Sequence, residues 1–184
     1  MTVFITGPGR SGTSFLMQLL TRLGMDTGFE PYKELFVDDL RAGCEWDITV
    51  DDDFDKAPRF IKGPVWAYML KYMLTNNTTQ IDHVVMPLRD LTESAESRLD
   101  VGLEFMVDKE YVKMPGQHLM EVQENVLAML TGKVLEACYL YRIPLTLMRF
   151  PRLVEDDAYC WLKVSEFADV DYDDFREKWT ELVK

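Results

Sequence analysis

"FITGPGRSGTSFLMQLL", residues Phe4 to Leu20, joins a short apolar strand, a glycine-punctuated turn and an amphipathic helix. Val3 to Thr6 supply the apolar run. Phe15, Leu16, Leu19, Leu20 and Leu23 then recur with helical period as far as a stop at Gly24. The turn has the Gly7-x-x-x-x-Gly12 spacing of a phosphate-binding loop, and Ser14 stands where such loops keep a hydroxyl. A strand feeding such a turn and then a helix start gathers backbone N–H groups around one point, and the helix dipole adds partial positive charge there. Where a nucleoside triphosphatase needs lysine after Gly12, this chain has Thr13, so the loop lacks the cation that serves β- and γ-phosphates. The nearest cation is Arg10, inside the loop.

Further along, "RFIKGP", "HVVMPLRD" and "IPLTLMRF" read as three more short strands. Helical spacing marks Trp66 to Met73, the segment from Leu91, His118 to Tyr141, Asp156 to Phe167 and Tyr172 to Val183. A short helix is expected around Tyr32 to Arg41, followed by an acidic loop, "DITVDDDFD". Strands separated by helices pair in parallel, which predicts a three-layer α/β/α sandwich with a mostly parallel central sheet. There is no internal repeat and no linker, so residues 1–184 read as one domain.

Composition narrows the function. Nearly half of the 184 residues are apolar, enough for a sizeable core. The net charge of −12 argues against a nucleic-acid groove or an anionic membrane surface. A small anion stays within reach if the few cations are concentrated locally. Cys44, Cys138 and Cys160 are odd in number and widely spaced, without metal-ligand or disulfide spacing. With only His83 and His118 beside them, no metal site is expected. No apolar run approaches membrane-spanning length, and strand-like sequence from Thr2 leaves no room for a signal peptide. A cytoplasmic protein is the expectation.

The loop "GPGRSGTSFL" resembles the phosphosulfate loop of sulfotransferases that use 3′-phosphoadenosine 5′-phosphosulfate (PAPS). Arg10, Ser11, Gly12, Thr13 and Ser14 fall in order on that loop's basic residue, Ser or Thr, Gly, Thr, and Thr or Ser. In that family an arginine at a strand end and a serine eight residues later grip the 3′-phosphate. "PLRDLTESAESRL" supplies Arg89 and Ser97 at that spacing. The chemistry agrees, since arginine offers phosphate a planar fork and serine adds a hydroxyl. "APRFIKGP" resembles the segment in which a lysine steadies the transferring sulfuryl group, here Lys62. The family's histidine base is replaced by Pro64. "GFEPYKEL" resembles a Phe-Glu-Pro of carbohydrate-acting members, which makes Glu30 the substitute base and Glu34 its reserve. The late basic, glycine-containing loop of the family has no counterpart, because the last glycine is Gly132.

The resemblance implies a fold like that of the P-loop nucleoside triphosphate hydrolases and sulfuryl transfer from PAPS to an acceptor hydroxyl, with a carbohydrate acceptor favoured. Gly7, Gly9, Ser11, Gly12, Thr13 and Ser14 would cradle the 5′-phosphosulfate, while Arg10 and Lys62 offset developing charge. Arg89 and Ser97 would hold the 3′-phosphate, and Glu30 would take the acceptor's proton. The rivals are a binding module that kept the fold without catalysis and a small nucleotide or metabolite kinase. Asp51, Asp53 and Asp55 alternate like a calcium loop but lack its glycine, and Asp90 after a strand could suggest magnesium. The three aspartates read better as a solvated acidic loop, and Arg89 beside Asp90 with the missing loop lysine argues against triphosphate–magnesium chemistry.

Overall fold

Four short apolar runs pair into one all-parallel sheet in the computed structural model, which describes residues 2–30, 36–37, 42–46, 56–76, 80–102 and 118–183. In chain order the elements are β1 (Val3–Ile5), α1 (Thr13–Arg22), β2 (Phe36–Val37), β3 (Ala42–Gly43), β4 (Phe60–Lys62) and α2 (Leu70–Thr75). There follow β5 (His83–Leu88), α3 (Leu91–Leu99), α4 (Leu119–Tyr141), β6 (Leu145–Arg149), α5 (Arg152–Glu155), α6 (Asp157–Val164) and α7 (Tyr172–Val183). The order across the sheet is β4-β1-β5-β6. Ile5 lies opposite both Lys62 and Val85, and Leu88 lies opposite Arg149.

Alternation along the strands divides the core in two. Val3, Ile5, Phe60, Val85 and Met148 pack with α1, α5, α6 and α7. Phe4, Ile61, Val84 and Met86 pack on the other side with a 3-10 turn at Pro64–Ala67, with α2 and with α4. The result is an α/β fold with helices on both faces of the sheet, as the alternating pattern predicts. Right-handed crossovers explain which helix goes where. The step from β1 to β4 runs one way across the sheet, so α1 covers one face. The steps from β4 past β1 to β5, and from β5 to β6, run the other way, so α2 and α4 cover the opposite face.

One expectation is corrected. Phe36–Val37 is not helical but pairs antiparallel with Ala42–Gly43. The rest of the segment from Tyr32 to Arg41 lies outside the described residues, as do Glu34 and the aspartates at 51, 53 and 55. An aromatic followed by a β-branched residue suits a strand pair, and the helical pattern there was carried by few apolar positions. Asp90 is a helix cap, accepting a hydrogen bond from the Glu93 N–H at 3.1 Å.

At the far end of the sheet from the glycine loop, His83 is buried and its Nε2 lies 2.8 Å from the Thr146 hydroxyl. That hydroxyl donates to Glu166 at 2.7 Å, so Thr146 accepts from a neutral imidazole protonated at Nε2. Burial holds the His83 pKa below its ordinary 6.5, against the opposing pull of the Glu166 carboxylate. The unfolded chain therefore takes up this proton at a higher pH than the folded one. Stability from this group is complete above pH 6.5 and falls as the pH drops through the lower folded value. Denaturant titrations between pH 8 and pH 5 should show a loss of stability on acidification that His83→Gln flattens; an equal slope in the variant would refute this account.

Candidate functional site

Because the sheet is parallel, the loops after β1, β4, β5 and β6 leave from one edge. The connections from β1 and β5 depart in opposite directions, so the topology switches between these strands at their carboxyl ends, the place where open α/β sheets bind ligands. The glycine loop follows β1 on one side of that switch point, and Arg89 with α3 follows β5 on the other.

Loop geometry depends on backbone that glycine permits. Gly9 and Gly12 have φ of 82° and 93°. A Cβ at Gly12 would stand 2.8 Å from the Phe150 ring, so glycine lets the loop close on β6. Arg10 also has a positive φ, 57°, although it carries a side chain, and the surrounding turn must stabilise that choice. Gly12 caps α1 without a side chain, so the first amides of that helix receive no hydrogen bond from their N-cap residue. Ser11 is wholly buried, and its hydroxyl finds no partner among the described residues. A buried donor without a partner calls for an explanation, and a ligand oxygen in the loop is one.

Three cations gather here. Arg10 Nε donates to the Ser97 hydroxyl at 3.0 Å, so the loop crest and α3 are tied directly. Lys62, 1% exposed, leaves the end of β4 and donates to the Ser14 hydroxyl at 3.0 Å, to the Gly43 carbonyl at 2.7 Å and to the Glu45 carboxylate at 3.2 Å. A cation absent from the loop's own sequence is thus delivered to its hydroxyl from the neighbouring strand. Arg98, also buried, donates to the Gln123 side-chain oxygen at 2.8 Å and to the Pro8 carbonyl at 3.4 Å, clamping the loop to α3 and α4. Burial, and then the charge of Arg10, depress the pKa of Arg98. Burial lowers that of Lys62 as well; Glu45 opposes the shift and Arg10 adds to it.

The sequence candidates fall as follows. Gly7, Gly9, Arg10, Ser11, Gly12, Thr13 and Ser14 form one loop and helix start, and Lys62 and Ser97 both reach it. Arg89 stands at the same edge with its guanidinium 5.3 Å above the Phe150 ring, the ring that abuts Gly12, and its Nε donates to Glu93 at 2.8 Å. Arg89 and Gly12 therefore flank one aromatic side chain. Glu30 is exposed in the turn after α1, beyond Gly28, whose Cα faces Pro58. The carboxylate that meets Lys62 is Glu45. Pro64 lies against Gly9.

Two residues of this site escaped the sequence reading. Arg98 sits on the buried stripe of α3, four residues after Ser94 and three after Ala95, a spacing that a count of α3's inward face could have exposed. Glu45 has no such signal. It is placed by a distant contact, the Trp46 N–H donating to the Lys62 carbonyl at 3.1 Å, which docks residues 44–46 beside β4.

Among the described residues no helix is long and apolar enough to cross a membrane, and no group of three or more His, Cys, Asp or Glu side chains could hold a metal. Comparison of the chain with known protein families, with curated proteins and with solved structures found no match.

Proposed function

We propose that the glycine loop binds PAPS and that the protein transfers its sulfuryl group to an acceptor hydroxyl. The observation that carries this reading is the convergence of Arg10, Lys62 and Arg98 on one glycine loop in a protein of net charge −12. Arginine and lysine side chains that converge on one loop suit an oxyanion ligand. The amides of Gly7 to Ser14 would cradle the 5′-phosphosulfate, helped by the Ser11, Thr13 and Ser14 hydroxyls. Arg89 and Ser97 would take the 3′-phosphate. Ser97 is one hydrogen bond from Arg10, which suits a ligand whose two anionic ends are only a ribose apart.

In the transfer, the acceptor oxygen forms a bond to sulfur as the bond between sulfur and the bridging phosphate oxygen breaks. The electron pair stays on the 5′-phosphate, where Arg10 and Lys62 offset the charge. The acceptor's proton goes to a carboxylate, for which Glu30 is the candidate from the sequence. A carbohydrate acceptor fits the Phe-Glu-Pro likeness. Pro64 has no titratable group, and this favours the non-catalytic binding module as the second reading.

Thermal unfolding separates these readings from a kinase. Adenosine 3′,5′-bisphosphate at one hundred times its dissociation constant should stabilise the protein by about 2.7 kcal/mol, and ATP with magnesium should do far less. Stabilisation by ATP–magnesium alone would overturn the proposal, and binding of PAPS without transfer to any acceptor would establish the module. Arg89→Ala should weaken adenosine 3′,5′-bisphosphate about tenfold or more and leave adenosine 5′-phosphosulfate nearly unchanged in calorimetric titrations. Equal losses for both ligands would remove Arg89 from the 3′-phosphate.

A further inference from the structure

A lysine ammonium has three N–H donors, and all three of Lys62 are engaged, on the Ser14 hydroxyl, the Gly43 carbonyl and the Glu45 carboxylate. With its side chain 1% exposed, Lys62 offers no donor to a ligand in this arrangement. Its three acceptors differ in how readily they can leave. Ser14 belongs to α1, and its hydroxyl lies 3.4 Å from the Gly43 carbonyl, so these two groups also face each other. Gly43 belongs to β3 and is held by its pairing with Phe36. The Glu45 side chain is 46% exposed and lies at the longest of the three distances, 3.2 Å.

We propose that Glu45 is a specificity-determining residue of the loop: its carboxylate keeps the place on Lys62 that a ligand oxyanion takes, and an anion gains Lys62 only by displacing it. The proposal rests on the loop being an oxyanion site and deepens that reading. It does not depend on whether the anion is phosphoryl or sulfuryl. Two consequences follow from charge. In the empty site the Glu45 carboxylate offsets Lys62 and spares a buried ammonium the cost of standing unpaired. In the occupied site the released carboxylate stays near the anion, so each added negative charge on the ligand meets repulsion and a less charged terminal group is preferred.

The test is a set of calorimetric titrations of the wild-type protein, Glu45→Gln and Glu45→Gln/Lys62→Gln with inorganic pyrophosphate and with adenosine 3′,5′-bisphosphate. Glutamine keeps the shape at position 45 and removes the charge. Because Glu45 is half exposed, the gain should be that of a screened pair, about fivefold tighter binding of pyrophosphate, with a smaller gain for the bisphosphate. In the double variant the gain should vanish. Unchanged or weaker pyrophosphate binding in Glu45→Gln overturns the proposal while the anion site stands. A gain that persists in the double variant also overturns it, because the effect would then be general charge removal. Failure of every protein to bind either anion overturns the loop reading and this proposal with it. Circular dichroism melts confirm that each variant is folded before it is titrated.

Discussion

Holding Arg10, Lys62 and Arg98 around one turn of backbone is the constraint on which the rest of the site depends. Lys62 and Arg98 lose hydration and feel the charge of Arg10, both of which lower their proton affinities. Each is compensated differently. Lys62 has a carboxylate, a carbonyl and a hydroxyl; Arg98 has an amide oxygen and the Pro8 carbonyl; Arg10 has the Ser97 hydroxyl. The opposite charge on Lys62 comes from a half-exposed side chain. An oxyanion in the loop would meet all three cations together.

The sheet order makes that gathering possible. With β1 and β5 adjacent and their connections leaving in opposite directions, the loop after β1 meets α3, the helix after β5, through Arg10–Ser97 and Arg98–Pro8. The same adjacency brings β4 alongside β1 from the other side, which is why Lys62, level with Ile5 in the register, can reach Ser14. A helix start without a side-chain cap, a lysine from the next strand and an arginine from the helix beyond arrive from three separate stretches of chain. None is within reach of another in sequence.

This distance explains what the amino-acid sequence discloses and what it hides. The four sheet strands are legible because each is an apolar run closed by glycine, proline or charge. The helix over Leu119–Tyr141 is legible because its apolar positions keep one period for 23 residues. The β2–β3 pair is not, since two-residue strands carry too little pattern to outweigh a local helical count. Among site residues, Arg10, Lys62 and Ser97 stand out through spacing and resemblance. Arg98 looks like one more charge on an amphipathic helix until its inward face is known. Glu45 is set by the docking of Trp46 on β4, a contact with no local trace.

Where the cations come from also bears on what the loop can hold. In a nucleoside triphosphatase the lysine rises from the loop itself and follows a chain of phosphates across it. Here the crest carries Arg10, which leans toward Ser97, while Lys62 enters low, at the first turn of α1. Charge is thus concentrated at the two flanks of a short cradle and not spread along an extended one. An anion that reaches Lys62 also meets the Glu45 carboxylate. A terminal group with a single negative charge would be repelled by that carboxylate less than one with two.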